Sequence, residues 1–228
     1  MFLTSFAAGP FQANCYVYSV DGSRCVVVDP GVNAFDDVKK ILDDKALSVE
    51  AVLLTHGHPD HVGGAADVAD HYGVPAYVHA DDRELFDTSL LSEMAVQIIE
   101  RFQVNHVEPE DLRELVGGET LELAGIPFTT EVAPGHRPGC LLWRTPLAES
   151  LPQAPELTEL IFTGDVVFAG SIGRTDLYGG DDDVMRATLR DIVLALPDTA
   201  ALLPGHGPET TMAHERTTNP YLQDSYLR

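Results

Sequence analysis

The stretch "LLTHGHPDHVGG", Leu53–Gly64, places three histidines and an aspartate, His56, His58, Asp60 and His61, within six residues. They follow directly on Ala51–Leu54, a short apolar run that reads as a buried strand. Polar groups set that densely at the end of a buried element are costly to desolvate unless something engages them. On the far side, Val62, Ala65, Ala66, Ala69 and Tyr72 have helical spacing, and Gly73 and Pro75 stop the helix. The unit is a strand, a polar loop and a helix, and chemistry is expected in the loop.

Three later junctions carry the same kind of residue. His136 lies in "APGHRPG" between two expected strands, Asp165 lies in "FTGDVVF" just after the apolar run Leu160–Phe162, and His206 lies in "LPGHG" just after Leu202–Leu203. Each stands beside glycine or a turn residue, where backbone approaches closely and side chains can converge. Five histidines and two aspartates form a nitrogen and oxygen donor set suited to zinc, iron or manganese, not to calcium. A lone loop histidine is usually a surface residue or one satisfied in the core, and His71, His79, His106 and His214 are read that way. The frame HxHxDH would be an odd decoration for a surface loop, and "PGH", "TGD" and "PGHG" at later strand ends make accident remote.

Around these junctions the chain reads as alternating strands and helices. Residues 14–20 and 24–29 are β-rich runs joined by "DGS", a hairpin signal. Phe35, Val38, Ile41 and Leu42 have helical spacing, Ala76–His79 reads as a strand, and 82–104 as mostly helical and surface-lying. A second β-rich half starts near 119, with strands expected at 119–123, 127–132, 140–145 and 159–163. Met185, Leu189, Ile192, Val193 and Leu196 mark an amphipathic helix capped by Asp183, and Ala201–Leu203 is a last buried strand. "PLAESLPQAP" (146–155) has three prolines and no periodicity, so 146–158 is read as a surface insertion within one domain spanning 1–228. Two β-rich halves, each feeding helices, suggest two sheets packed face to face with helices outside.

Composition narrows the function. Apolar residues make up 44% and charged residues 22%, enough for a sizeable core. The formal charge of −22 repels phosphate backbones and argues against nucleic acid as a partner. No stretch approaches the roughly 18 apolar residues of a membrane span, and "MFLTSFAAGP" lacks the features of a signal peptide. Cys15, Cys25 and Cys140 are scattered without a CxxC and are read as reduced, Cys140 as a small buried apolar group. A soluble, cytoplasmic protein is expected.

The ordered set THGHPDH, PGH, TGD and PGHG resembles the metallo-β-lactamase-fold hydrolases. "FTGDVVFAGSIGRTDL" is similar to the glyoxalase II branch, the hydroxyacylglutathione hydrolases, and "PGHGPETTMAHERTTNPYL" to its short bacterial members. The resemblance covers nearly the whole chain. It implies an α/β fold, an αββα sandwich of two mixed β-sheets with helices on the outer faces. It gives His56, His58 and His136 to a first divalent metal ion and Asp60, His61 and His206 to a second, with Asp165 bridging. Zinc is the first expectation, with iron or manganese as alternatives. It also implies a metal-bridging hydroxide as nucleophile, with Asp60 and Asp165 as the catalytic carboxylates, acting on a small-molecule thioester such as S-lactoylglutathione. No G-x-S-x-G is present, and a thiolate leaves readily without a general acid.

Arg174 in "GSIGRTDL" is the candidate substrate clamp, set against a plain ion pair with Asp176; Tyr178 is a second substrate candidate. Asp176 or Asp29 could orient a ligand histidine, and Arg137 is another nearby cation. Rival readings share the fold. A mono-iron persulfide dioxygenase is suggested by "PGHRPGC", but "GSIGRTDL" and "PGHG" stand where that family tends to show "GCGRTDF" and "PAHDY". A true β-lactamase often has cysteine where Asp165 stands, and a nuclease is disfavoured by the charge. A lactone or ester hydrolase remains an alternative, and a non-catalytic metal-binding module is disfavoured by the filled ligand set.

Overall fold

The computed structural model describes residues 1–228. In chain order the strands are β1 (Phe2–Ala8), β2 (Ala13–Ser19), β3 (Arg24–Val28), β4 (Ser48–Leu53), β5 (Ala76–His79), β6 (Leu112–Leu115), β7 (Thr120–Leu123), β8 (Ile126–Val132), β9 (Leu141–Pro146), β10 (Glu159–Gly164), β11 (Val167–Phe168), β12 (Ser171–Ile172), β13 (Ala200–Pro204) and β14 (Thr210–Thr211). The helices are α1 (Phe35–Lys45), α2 (Pro59–Val62), α3 (Ala65–Tyr72), α4 (Glu93–Phe102), α5 (Asp182–Asp191), α6 (Met212–Thr218) and α7 (Asp224–Leu227). One sheet has the order β1-β2-β3-β4-β5-β6, antiparallel to β3 and parallel beyond it. The other has the order β14-β13-β10-β9-β8-β7, in which only β10 and β13 run parallel. Both sheets are mixed.

The two-residue period of a strand explains the layering. Tyr16, Tyr18, Val26, Val28 and Leu53 point inward to meet Phe128, Trp143, Leu160 and Phe162 from the second sheet. The alternate residues Val17, Val27, Val52 and Leu54 point outward and pack on α1 and α3 through Val38, Leu42, Val68 and Ala69. On the opposite side Leu142, Ile161 and Leu202 pack on Met185 and Leu189 of α5. Central strands covered on both faces read as near-continuous apolar runs, as "CVVV" does. The result is the expected αββα sandwich. No helix is long and apolar enough to cross a membrane.

The sheets are laced together along one edge. Trp143 Nε1 donates to the Leu54 carbonyl (3.0 Å), and Leu141 N–H to the Thr55 carbonyl (2.8 Å). Asn14 N–H donates to Gly205 O (2.7 Å), and Tyr16 Oη to Pro204 O (2.8 Å). These bonds cross from sheet to sheet where the ligand loops emerge.

The structure corrects several expectations. The edge strands β1, β6 and β14 were not expected; β1 and β6 keep much of one face exposed, and β14 has only two residues. Most of 80–90 is 3₁₀ turn, with α-helix confined to α4. The cap of α5 is Asp181, whose extended backbone lets its carboxylate accept from Val184 N–H (3.0 Å); Asp183 lies inside the first turn. Helix α5 ends at Asp191, and Val193 belongs to a following 3₁₀ turn. Between β9 and β10 the chain is irregular, with a single bridge pairing Leu151 and Ala154.

Candidate metal centre

Every predicted junction opens on the laced edge. His56 and His58 occupy the loop after β4, and Pro59 starts α2 so that Asp60 and His61 sit in its first turn. His136 lies in the loop between β8 and β9. Because β10 and β13 are parallel neighbours, with Phe162 beside Leu203, Asp165 and His206 leave the sheet side by side. Gly205 makes that approach possible, since a Cβ there would lie 2.3 Å from Asp165 Oδ1 and 2.6 Å from His61 Cε1.

The donor atoms form two clusters with a carboxylate between them. His56 Nε2 is 3.1 Å from His58 Nδ1, and His136 Nε2 is 2.8 Å from His58 Nδ1 and 3.3 Å from His56 Nε2. In the second cluster Asp60 Oδ2 is 3.3 Å from His206 Nε2 and 3.7 Å from His61 Nε2. Asp165 turns Oδ1 toward His61 Nε2 (3.3 Å) and Oδ2 toward both His136 and His206 (3.6 Å each). His56, His58 and His136 are close enough to share one cation, and Asp60, His61 and His206 to share another. All seven predicted donors meet here, while His71, His79, His106 and His214 lie elsewhere.

The hydrogen-bond network sets which imidazole nitrogen faces the centre. His136 Nδ1 donates to the Arg174 carbonyl (2.7 Å), so Nε2 offers a lone pair inward. His61 Nδ1 donates to Asp29 Oδ2 (2.9 Å), which also frees Nε2. Thr55 Oγ1 gives its proton to Asp29 Oδ2 (2.6 Å) and accepts from His56 Nδ1 (3.2 Å), freeing the third Nε2. Lone pairs so close together repel unless a cation lies among them. His61 Nε2 and Asp165 Oδ1 are moreover buried with no hydrogen-bond partner. Orphaned buried donors and acceptors of this kind call for an ion, so the residues fit two divalent metals.

Electrostatics divide the centre in the same way. Burial, reinforced by His61, His136 and His58, holds His56 well below the usual histidine range. Burial and His136 push His58 down to about 3. These two are neutral ligands at physiological pH. Burial would lower His61 too, but Asp165 and Asp60 outweigh it and hold it well above its ordinary value. His206 is likewise raised, burial being overcome chiefly by its bond with Asp60. Burial would raise Asp60 and Asp165, but His61 foremost keeps both ionised. Protons on His61 and His206 therefore hold places that cations can take.

The remaining candidates are sorted by their contacts. Asp29 does support His61, as its position suggested. Asp176 does not orient a ligand: its carboxylate takes Arg174 in a bidentate pair (2.6 and 2.8 Å), both side chains exposed. Arg174 thus has the ion pair, although it also lines the cavity above the centre, as does Tyr178, 56% exposed. Arg137 is not available to a substrate. It is fully buried and donates to Asp82 Oδ1 (3.2 Å), Glu84 Oε1 (3.2 Å) and the Tyr178 carbonyl (2.6 Å).

The sequence reading missed Asp82. Its buried carboxylate accepts from Gly57 N–H (2.8 Å), Gly139 N–H (3.0 Å) and Arg137, clamping the His58 loop to the His136 loop. The available signal was a charged residue just past the strand Ala76–His79. Asn14, in the first β-rich run, donates to the carbonyls of Pro204 (2.9 Å) and Gly207 (2.8 Å) and so frames His206 from the other sheet.

Known proteins carry the same features. A family model described as the metallo-β-lactamase superfamily matches residues 8–151. An uncharacterised protein of Mycobacterium tuberculosis is 37% identical over 98% of each chain. The hydroxyacylglutathione hydrolase GloC of Haemophilus influenzae is 34% identical over 93% of each. Among solved structures, the B3 metallo-β-lactamase BLEG-1 superposes with a TM-score of 0.82 at 32% identity, covering 97% of this chain and all of that one. A protein solved in a di-iron-bound form superposes with a TM-score of 0.77 at 32% identity and the same coverage.

Proposed function

The chain belongs to the metallo-β-lactamase superfamily, and from that premise we propose that it is a dinuclear metallohydrolase of thioesters formed by a small thiol, of the glyoxalase II type. The observation that carries hydrolysis is Asp165, a buried carboxylate aimed at both donor clusters. Thioester as the substrate class is supported by the "GSIGRTDL" segment and by the 34% identity to a hydroxyacylglutathione hydrolase. Zinc is the first choice of metal, and iron or manganese suits the same donors. The two ions, when bound, supply an acidified water and a Lewis acid for the carbonyl.

The chain's own part is to position and to hold protons. Asp29, Thr55 and the Arg174 carbonyl fix the tautomers of His61, His56 and His136 so that each presents a lone pair. Asp165 sets the separation of the two clusters. Asp60, which reaches the cavity and lies 3.3 Å from His206 Nε2, is the carboxylate placed to accept a proton during turnover. The apolar cavity walls limit water around the reacting carbonyl. Arg174 and Tyr178 contact substrate at the mouth. The buried, unpaired cysteines support a reducing, cytoplasmic setting.

A second reading, lactam hydrolysis, is favoured by the 0.82 superposition on a B3 enzyme. The test is a panel of thioester, lactam and lactone substrates, with oxygen uptake on a glutathione persulfide, run on protein of measured metal content. Turnover led by thioesters supports the proposal. Turnover confined to lactams, or oxygen uptake without hydrolysis, replaces it.

A further inference from the structure

The cavity of about 590 Å³ above the metal donors is far more apolar than a site for a charged thiol requires. Two segments supply most of the apolar side chains, Leu90, Leu91 and Met94 from the turn entering α4 and Phe168, Ile172 and Leu177 from the chain beyond Asp165, with Phe11 and Leu85 beside them. Helix α4 has no buried residue of its own, and Met94 is 55% exposed. Its first turn therefore offers apolar surface that the fold does not cover, at the rim of the reaction site.

The charges disfavour the anionic carriers. Arg174 is the one Arg or Lys side chain lining the cavity, and Asp176 already binds it through two hydrogen bonds. Arg137 is spent on Asp82, Glu84 and a carbonyl. Beyond the metal ions themselves, a thiol bearing several carboxylates or phosphates finds no unpaired basic side chain here, and the chain's −22 charge repels it at longer range.

We propose that the site selects an uncharged thioester carrying an aliphatic group of several carbons, seated between the Leu90–Met94 segment and the Phe168–Leu177 segment. This rests on the thioester reading above and goes further by naming what the substrate carries. Burial of an added methylene in such a cavity strengthens binding by about 2- to 4-fold.

The experiment measures kcat/KM for two homologous series built on a neutral short thiol. One lengthens the acyl half from acetyl to octanoyl; the other holds acetyl and lengthens the thiol half. Ketone analogues of both series, with CH₂ in place of the thioester sulfur, are titrated by calorimetry alongside. A rise of about 2- to 4-fold per methylene in one series, flattened in Met94→Ser and in Leu90→Ser, supports the proposal and identifies the half that carries the chain. Flat or falling values in both series overturn it, as does a lactoylglutathione preference over the lactoyl ester of the neutral thiol. If no thioester turns over, the ketones separate the two ideas. Affinity rising with chain length keeps the apolar recognition and removes the thioester reading; affinity independent of length removes both.

Discussion

Asp29→Asn should weaken metal binding, most directly at the second position. Asp29 Oδ1 accepts from Thr55 N–H (2.8 Å), and Oδ2 accepts from Thr55 Oγ1 (2.6 Å) and His61 Nδ1 (2.9 Å). Its φ of +47° lies in the left-handed region, which asparagine tolerates, so the backbone is kept. The Thr55 N–H can only donate, so the amide oxygen must stay at the Oδ1 position. The NH₂ then replaces Oδ2 and donates to His61 Nδ1. That forces the imidazole proton onto Nε2, the atom facing Asp60, Asp165 and His206, where it blocks coordination. Loss of such a supporting partner typically costs 10- to 100-fold in metal affinity, or about 1.4–2.8 kcal/mol. The flipped amide avoids this only by opposing NH₂ to the Thr55 N–H, an unsatisfied buried donor worth about 1–3 kcal/mol of stability. Competition with a graded chelator, read by elemental analysis, should show the second ion released 10- to 100-fold more readily and the first loosened less, through the Thr55 hydroxyl that meets both Asp29 Oδ2 and His56 Nδ1. Two ions at wild-type affinity with unchanged thermal stability would refute the tautomer argument.

Other consequences follow from the same geometry. Protein purified without chelator should contain up to two equivalents of zinc, iron or manganese, and His206→Ala should keep one; unchanged occupancy in that variant would remove His206 from the second cluster. Asp165→Asn keeps the shape but loses the charge that faces both clusters, so kcat should fall by roughly 10²-fold or more, as measured on the best panel substrate; a near-wild-type rate would exclude it. The metal-free protein should be most stable near pH 6.5. Below that pH an unfolded chain takes up the protons that buried His56 and His58 refuse, so stability falls from 6.5 down toward the value of about 3 for His58. Above it the extra stability of protonated His61 and His206 is lost as pH rises through their elevated values. Urea titrations across pH 4–9 check this, and a monotonic profile would contradict the charge division.

The layers were legible because central strands covered on both sides leave a strong pattern. "CVVV" and "LIF" are apolar without interruption, and the helices that cover them show 3.6-residue spacing at Val38–Leu42 and Met185–Leu189. The edges were not. β1 shows one face to solvent, so "FLTSFAA" mixes polar and apolar residues without a firm period. β6 pairs with a single strand, β5, a partner distant in sequence. The segment 80–90 carries helical composition, yet it folds as 3₁₀ turns whose caps are local: His79 Nδ1 accepts from Asp81 N–H, and Asp87 from Ser89 N–H.

The donors themselves were readable because each sits at a strand end in a short polar motif, and the motif needs its own residues whatever the rest of the chain does. Their supports are another matter. A histidine's partner can be any carboxylate, hydroxyl or carbonyl that the fold brings within about 3 Å; of the three here, Asp29 lies outside the motifs and Arg174 acts through its backbone. His136 is oriented by the backbone of Arg174, for which any residue would serve, since the carbonyl and not the guanidinium makes the bond. Asp82 was passed over because it reads as surface charge beside Asp81; only the packing of the two loops shows that it lies at 0% exposure, bonded to Gly57 and Gly139. A Cβ at Gly139 would come 2.7 Å from the Asp82 carboxylate, and one at Gly57 2.5 Å from its carbonyl. The two glycines, which looked like ordinary loop residues, are there to let a single buried carboxylate reach both ligand loops. It follows that the spacing of His58 and His136 is set by Asp82, 18 residues beyond the stretch Leu53–Gly64 that first drew attention to the site.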